Sequence, residues 1–123
     1  MIVYKIFVSL LFITNILFMD RIERQLLIFG NYENPLLVQQ QLALFNKEAA
    51  GIKERDVKIT VVSKDDLLNK KYHIKTRLFI VILLGKDGTE KFRTDKLLLP
   101  KKLFAIIDAM PMRQAEMKNT NTQ

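Results

Sequence analysis

Side chains that commonly carry chemistry are scarce in this sequence. Its 123 residues include no cysteine and a single histidine. Without thiols there are no disulfides, thiolate nucleophiles, thiol redox steps or iron–sulfur ligands. Sulfur-based zinc sites go with them, and one imidazole cannot build a histidine-rich metal site. That histidine, His73, follows Lys70-Lys71-Tyr72. Its sequence neighbours are cations and not a carboxylate that could orient it, so a surface or packing role is expected. Asp65 and Asp66 are adjacent. Adjacent helical positions do not share a face, so capping fits them better than paired acid–base work. No nucleophile elbow, phosphate loop or dinucleotide fingerprint occurs.

Six residues remain as binding candidates. Tyr32 and Glu33 precede Pro35 in a polar stretch, and a loop on a rigid scaffold is where binding tends to sit. The plainer reading is a helix entry, with Glu33 favoured by the helix dipole. Lys86, Lys91 and Arg93 surround a Gly-Lys-Asp-Gly turn. Arg113 closes the string Met110-Pro111-Met112-Arg113. That string is either a recognition surface or a helix end that tucks flexible methionines inward while Arg113 pairs with a carboxylate.

Charge bears on the choice of partner. The net charge is +7, and residues 70–102 hold ten basic and three acidic side chains. A solvated lysine-rich surface accounts for this, and so does an anionic partner such as an acidic protein, lipid headgroups or nucleic acid. No aromatic-interleaved nucleic-acid motif accompanies the charge.

The elements that must position these groups follow from periodicity. Residues 1–19 place Lys5 before an uncharged run at 6–19, with Asp20 and Arg21 after it. This is the pattern of a secretory signal peptide, and it is short for a membrane span of ~20 residues. It lacks an Ala-x-Ala cleavage site, so an uncleaved N-terminal anchor is the alternative; a buried first strand is the third reading. Residues 20–25 read as a polar linker. Leu26-Leu27-Ile28-Phe29-Gly30 gives a first strand. Asn34 and Pro35 open a helix whose stripe is Val38, Leu42, Phe45 and Ala49, with Gly51 as its stop. A second strand over 56–63 is expected to lie parallel to the first, across a right-handed crossover. A short helix is expected over 64–71.

The run Leu78-Phe79-Ile80-Val81-Ile82-Leu83-Leu84 has no polar residue. A strand that reads this way is covered on both faces, so the sheet should be built around it. Its hairpin returns through residues 90–94, with Phe92 inward and Lys91 and Arg93 together on the opposite face. A last helix carries Leu99, Leu103, Ile106 and Met110 and stops at Pro111; residues 118–123 read as a frayed tail. The order β-α-β-α-β-β-α indicates one α/β domain: a thioredoxin-like three-layer sandwich, its mixed central sheet flanked by helices on both faces.

Several strings sharpen this. Leu26 to Gly30, Asn34-Pro35, Ala49-Ala50-Gly51 with Glu54-Arg55-Asp56-Val57, and Leu83-Leu84-Gly85-Lys86-Asp87-Gly88 come first. Leu103-Phe104, then Ile107-Asp108-Ala109-Met110-Pro111-Met112-Arg113, and Glu116 complete the set. With them the chain resembles DUF4174, a domain family of unknown function found in bacterial exported proteins and at the ends of some animal extracellular matrix and sushi-repeat proteins. The resemblance covers about residues 25–117, and the closing Ile-Asp-Ala-Met-Pro-Met-Arg string is its specific part. It implies a thioredoxin-like fold distantly related to peroxiredoxins. In those relatives the reactive cysteine lies between the first strand and first helix; here that loop is Asn31-Tyr32-Glu33-Asn34-Pro35. No proline precedes the central strand, where His73-Ile74-Lys75-Thr76-Arg77 stands. Both departures remove thiol redox work.

The expectation is therefore a signal or anchor at 1–19, a domain at 20–117 and a tail at 118–123. The protein is expected to be exported and to bind without catalysing. It would use Tyr32, Glu33, Lys86, Lys91, Arg93 and Arg113 toward an acidic protein or anionic ligand, with no metal and no cofactor. Two alternatives stand beside it. One is a thiol-free enzyme resting on Glu33, Tyr32, His73 or Arg113. The other is a membrane-surface protein tethered by residues 1–19, its basic residues toward anionic lipid.

Overall fold

Two strands lie side by side at the middle of the sheet, one wholly apolar and one apolar beyond its first two residues. In the computed structural model, which describes residues 22–75 and 78–121, these are β1 (Arg24–Phe29) and β3 (Ile80–Leu84). The signal or anchor expected at 1–19 lies outside the described residues. Strand β2 (Val57–Val61) pairs parallel with β1, as the crossover rule requires. Strand β4 (Glu90–Thr94) pairs antiparallel with β3, and β3 pairs antiparallel with β1. The order across the sheet is β2-β1-β3-β4.

Alternation along β1 and β3 divides the core in two. Leu26, Ile28, Val81 and Leu83 face one side, where they meet Val38 and Phe45 of helix α1 (Pro35–Lys47), Ile52 of α2 (Ala49–Glu54), and Leu103 and Ile107 of α4 (Pro100–Asp108). Leu27, Phe29, Ile80 and Ile82 face the other, under Val62, Tyr72 and Leu68. Among the described residues that second side carries a single four-residue helix, α3 (Leu68–Lys71). The architecture is an α/β sandwich with a mixed sheet and helices on both faces, consistent with a thioredoxin-like arrangement, but its two outer layers are unequal. Each side chain buried to this degree contributes ~1.5–3 kcal/mol of transfer free energy.

Several boundaries differ from the sequence expectation, each for a physical reason. Residues 24 and 25 belong to β1 and not to a linker, because the Arg24 side chain, 1% exposed, finds acceptors inside the fold. Gly51 does not stop a helix. It lies within α2, where the Phe104 ring closes over it so tightly that a β-carbon would come within 2.6 Å of the ring. The helix ends instead at Asp56, whose φ of 51° is the left-handed turn usually given to glycine. His73 plays the same part after α3, with φ 56°. Its N–H donates to the Lys70 carbonyl, and the Ile74 N–H reaches back to that of Asn69, which makes a Schellman stop. Asp66 accepts the Leu68 N–H at 2.9 Å, as a capping role predicts.

Pro111 ends α4 and also opens α5 (Pro111–Asn121), so residues 118–121 continue a helix where fraying is expected. The α4 stripe is rotated from the expected one: Leu103 and Ile107 are buried, Ile106 and Met110 half-buried, and Leu99 exposed. Helix α5 is polar and sits where β1 begins and β3 ends. The charges there explain why.

Candidate functional site

Arg24, at the start of β1, cannot reach water. Its guanidinium donates to the Arg55 carbonyl at 2.7 Å and to both Glu116 oxygens at 3.3 and 3.4 Å. Its Nε is buried with no acceptor among the described residues. Lys86, just past β3, bridges Glu116 at 2.7 Å and Asp56 at 2.9 Å. Arg113, 5% exposed, donates to Asp108 at 3.2 Å and to Glu54 at 3.2 Å. Arg55 forks onto Asp108 at 3.0 and 2.9 Å while its plane lies 4.0 Å from the Phe104 ring centre. Four cations thus meet four carboxylates, drawn from β1, the α2–β2 turn, the β3–β4 turn and both C-terminal helices.

The titration of these groups follows from the geometry. Burial alone would push the Lys86 ammonium down, but its hydrogen bonds to Glu116 and Asp56 outweigh it and hold it above its ordinary value. Burial would likewise raise Glu116, yet Lys86 and Arg24 hold it below the usual carboxylate range. Arg55 does the same to Asp108, against a smaller effect of burial and with help from Arg113. The cluster is mutually neutral, so it holds the end of the sheet together and leaves Arg113 no hand for a ligand. Pairing of Arg113 with a carboxylate is the structural reading of the Met-Pro-Met-Arg string. Of its methionines, Met110 packs against the core and Met112 is half exposed.

Beside this network opens a cleft of about 530 Å³. One wall is the β3–β4 turn with Gly85, Lys86, Asp87 and Lys91; the other is the α4–α5 corner with Ile106, Met110 and Met112. A register shift opposite Leu84 pairs Leu83 with Phe92 and Leu84 with Glu90, which leaves Lys91 as the bulged residue. Hence Lys91 and Arg93 do not share a face. Lys91 turns to the cleft and to Asp87 at 3.0 Å. Arg93 binds Glu90 at 2.6 Å and the Tyr72 carbonyl at 2.9 Å under the thin layer. The Lys91–Asp87 pair is exposed, so it is worth little and can open toward a ligand. A larger depression of about 1160 Å³ lies along β2 and α1–α2; its lining holds Glu23, Glu54 and Asp56 against one cation, Lys53.

Tyr32 and Glu33 lie at the opposite end of the sheet from Lys86 and Arg113. Tyr32 is exposed under the Lys64 ammonium, 4.2 Å from the ring centre. The hollow beside it holds about 10 Å³, roughly one probe sphere. The six candidate residues therefore do not form one surface, and the set Glu33, Tyr32, His73 and Arg113 is not one constellation. Sequence reasoning missed Arg24, Glu116 and Asp108 as one assembly. Asp108 and Glu116 stand among the resembling strings, which was their signal; Arg24 lies ahead of the first string and had none.

Those strings converge on the network and its cleft: Glu54-Arg55-Asp56, Gly85-Lys86-Asp87, Asp108 through Arg113, and Glu116. No curated protein and no solved structure gives a significant match. Residues 19–116 match the domain of unknown function DUF4174. The chain belongs to that family.

Proposed function

We propose that this protein is a thiol-free binding module that acts outside the cytoplasm, and that the cleft between the β3–β4 turn and the α4–α5 corner is where it binds. The observation that carries the reading is the lining of that cleft: Ile106, Met110 and Met112 supply an apolar wall, and Lys91 stands at its edge with only an exposed partner. Such a wall with one available cation suits an apolar group that ends in an anion. Methionines adapt their shape to what they contact, which favours a range of related ligands. The buried ion pairs behind it fix the walls. Neither thiol redox nor thiolate chemistry is open to a chain without cysteine. The location rests on the leader pattern of residues 1–19, and a free N-terminus near Asp20 in protein recovered from cells tests it.

Methionine methyl NMR of the full chain tests the site. Its five methionines include Met110 and Met112 in the cleft and Met117 outside it. A panel of medium-chain carboxylates and short apolar peptides with free C-termini is the probe. Shifts at Met110 and Met112, none at Met117, and loss of both on Lys91→Glu are expected. Unmoved methyls across the panel, or shifts indifferent to Lys91, sink the reading.

A further inference from the structure

A second surface lies at the other end of the sheet. Phe29 at the end of β1 lies opposite Ile80 at the start of β3, Ile28 opposite Val61 at the end of β2, and Val81 opposite Thr94 at the end of β4. Four connections therefore gather at this end: residues 30–34, 62–67, 74–79 (of which 76 and 77 are not described) and 95–99. Three contacts show that they adjoin. Lys64 covers Tyr32, a β-carbon on Gly30 would strike the Leu78 carbonyl at 2.6 Å, and Gln41 of α1 holds the Leu98 backbone from both sides.

Ten large apolar side chains are exposed among the described residues, and six of them belong to this end: Tyr32, Leu36, Leu67, Leu78, Leu97 and Leu99. Leu67 is 78% exposed. Lysines stand among them. Lys64, Lys70, Lys71 and Lys75 accompany Leu67 and Leu78, and Lys96 and Lys101 accompany Leu97 and Leu99; all six are exposed, while Lys102 turns back over the Phe92 ring. The carboxylates in these stretches are Glu33, Asp65, Asp66 and Asp95, and that of Asp66 is already turned onto the Leu68 N–H.

From this we infer that the Tyr32–Leu67–Leu99 end of the sandwich docks on an anionic lipid surface. Apolar tips on loops, ringed by lysines, are what an interface of hydrocarbon and negative headgroups accepts. Tyrosine suits headgroup depth. A folded acidic protein anchors through side chains seated in well-packed pockets, and the hollow beside Tyr32 at this end holds about 10 Å³, too little for one. A fluid bilayer needs no such match. The surface is separate from the cleft, so neither proposal depends on the other.

The absence of cysteine makes the test clean, because a single introduced thiol takes a polarity-sensitive dye at one place. The full chain is labelled through Leu67→Cys, and separately through Met112→Cys at the far end. Each is titrated with phosphatidylcholine vesicles with and without phosphatidylglycerol. The dye at 67 should shift to the blue on anionic vesicles, stay unshifted on neutral ones, and stay unshifted at 112 on both. Adding Lys70→Glu, Lys71→Glu and Lys101→Glu should raise the lipid needed by about 30-fold or more. An equal shift on neutral vesicles, or an equal shift at 112, overturns the inference and leaves insertion by the apolar leader. A shift with polyglutamate or heparin but none with vesicles overturns it in favour of an acidic macromolecule.

Discussion

Arg24 and Glu116 are separated by 92 positions in the chain, and their side chains meet at 3.3 Å. The arginine is 1% exposed, and the carboxylate also holds Lys86 at 2.7 Å. Removing one partner of a buried pair leaves the other charged and unmet. Glu116→Gln should therefore cost about 3 kcal/mol of stability. Urea unfolding checks it; a loss no larger than that of an exposed pair would mean that water replaces the carboxylate.

The same network sets the response to pH. Glu116 and Asp108 titrate below their ordinary 4.5 and 3.8, so their contribution is complete above those values. It is lost as pH falls through the depressed ones. Lys86 titrates above its ordinary 10.5, so its contribution is complete below that and is lost as pH rises through the raised value. Unfolding midpoints should hold level through neutrality and fall at both extremes, with a smaller acid decline in Glu116→Gln. Asp87 behaves differently: the Thr89 backbone N–H and hydroxyl, then Lys91, hold it down to about 2. Its pair with Lys91 should stay visible by NMR until the pH approaches that value.

Two glycines make a matched test of the docking end against the hairpin. Both take positive φ, 97° at Gly30 and 79° at Gly88. A side chain at Gly30 would strike the Leu78 carbonyl and the Phe79 α-carbon, both backbone, whereas Gly88 has nothing within 4 Å. Gly88→Ala should cost only the left-handed conformation, ~1–2 kcal/mol. Gly30→Ala adds a clash that only backbone movement relieves and should cost ~3 kcal/mol or more. Equal thermal shifts for the two would show that the loop before β3 yields freely.

Gln41 is fully buried, accepts the Leu98 N–H at 2.7 Å and donates to its carbonyl at 2.8 Å. Gln41→Leu keeps the bulk and orphans both backbone groups, at about 1–3 kcal/mol apiece. Calorimetry should find a loss in that range or above. A neutral result would mean that residues 95–99 can turn to solvent.

The central strands were legible because Leu26 to Phe29 and Leu78 to Leu84 are apolar without alternation, and a parallel β1–β2 pair follows from any helical crossover. Sequence periodicity cannot see a cation whose acceptor lies at the other end of the chain. Arg24 therefore read as linker and residues 118–121 at the end of α5 as a tail, although Glu116 ties that helix to Arg24. Gly51 misled for a similar reason: a glycine needed for close packing by Phe104 looks like a glycine that ends a helix. Alternation placed Lys91 beside Arg93, and the bulge at Leu84, invisible in composition, parts them. Arg113 was legible in its plainer reading as a paired side chain, and its immersion among Asp108, Glu54 and Glu116 is why it does not join a binding surface.

The span from Arg24 to Glu116 also orders events in time. A chain is made from its N-terminus, so the first strand emerges while its carboxylate is still nearly the whole domain away. Until Glu116 appears, a buried Arg24 has the Arg55 carbonyl but no carboxylate, and closing the sheet over it is costly. The domain is thus locked by the last helix to be synthesised, and a product that ends before it should remain open, extended and easily degraded.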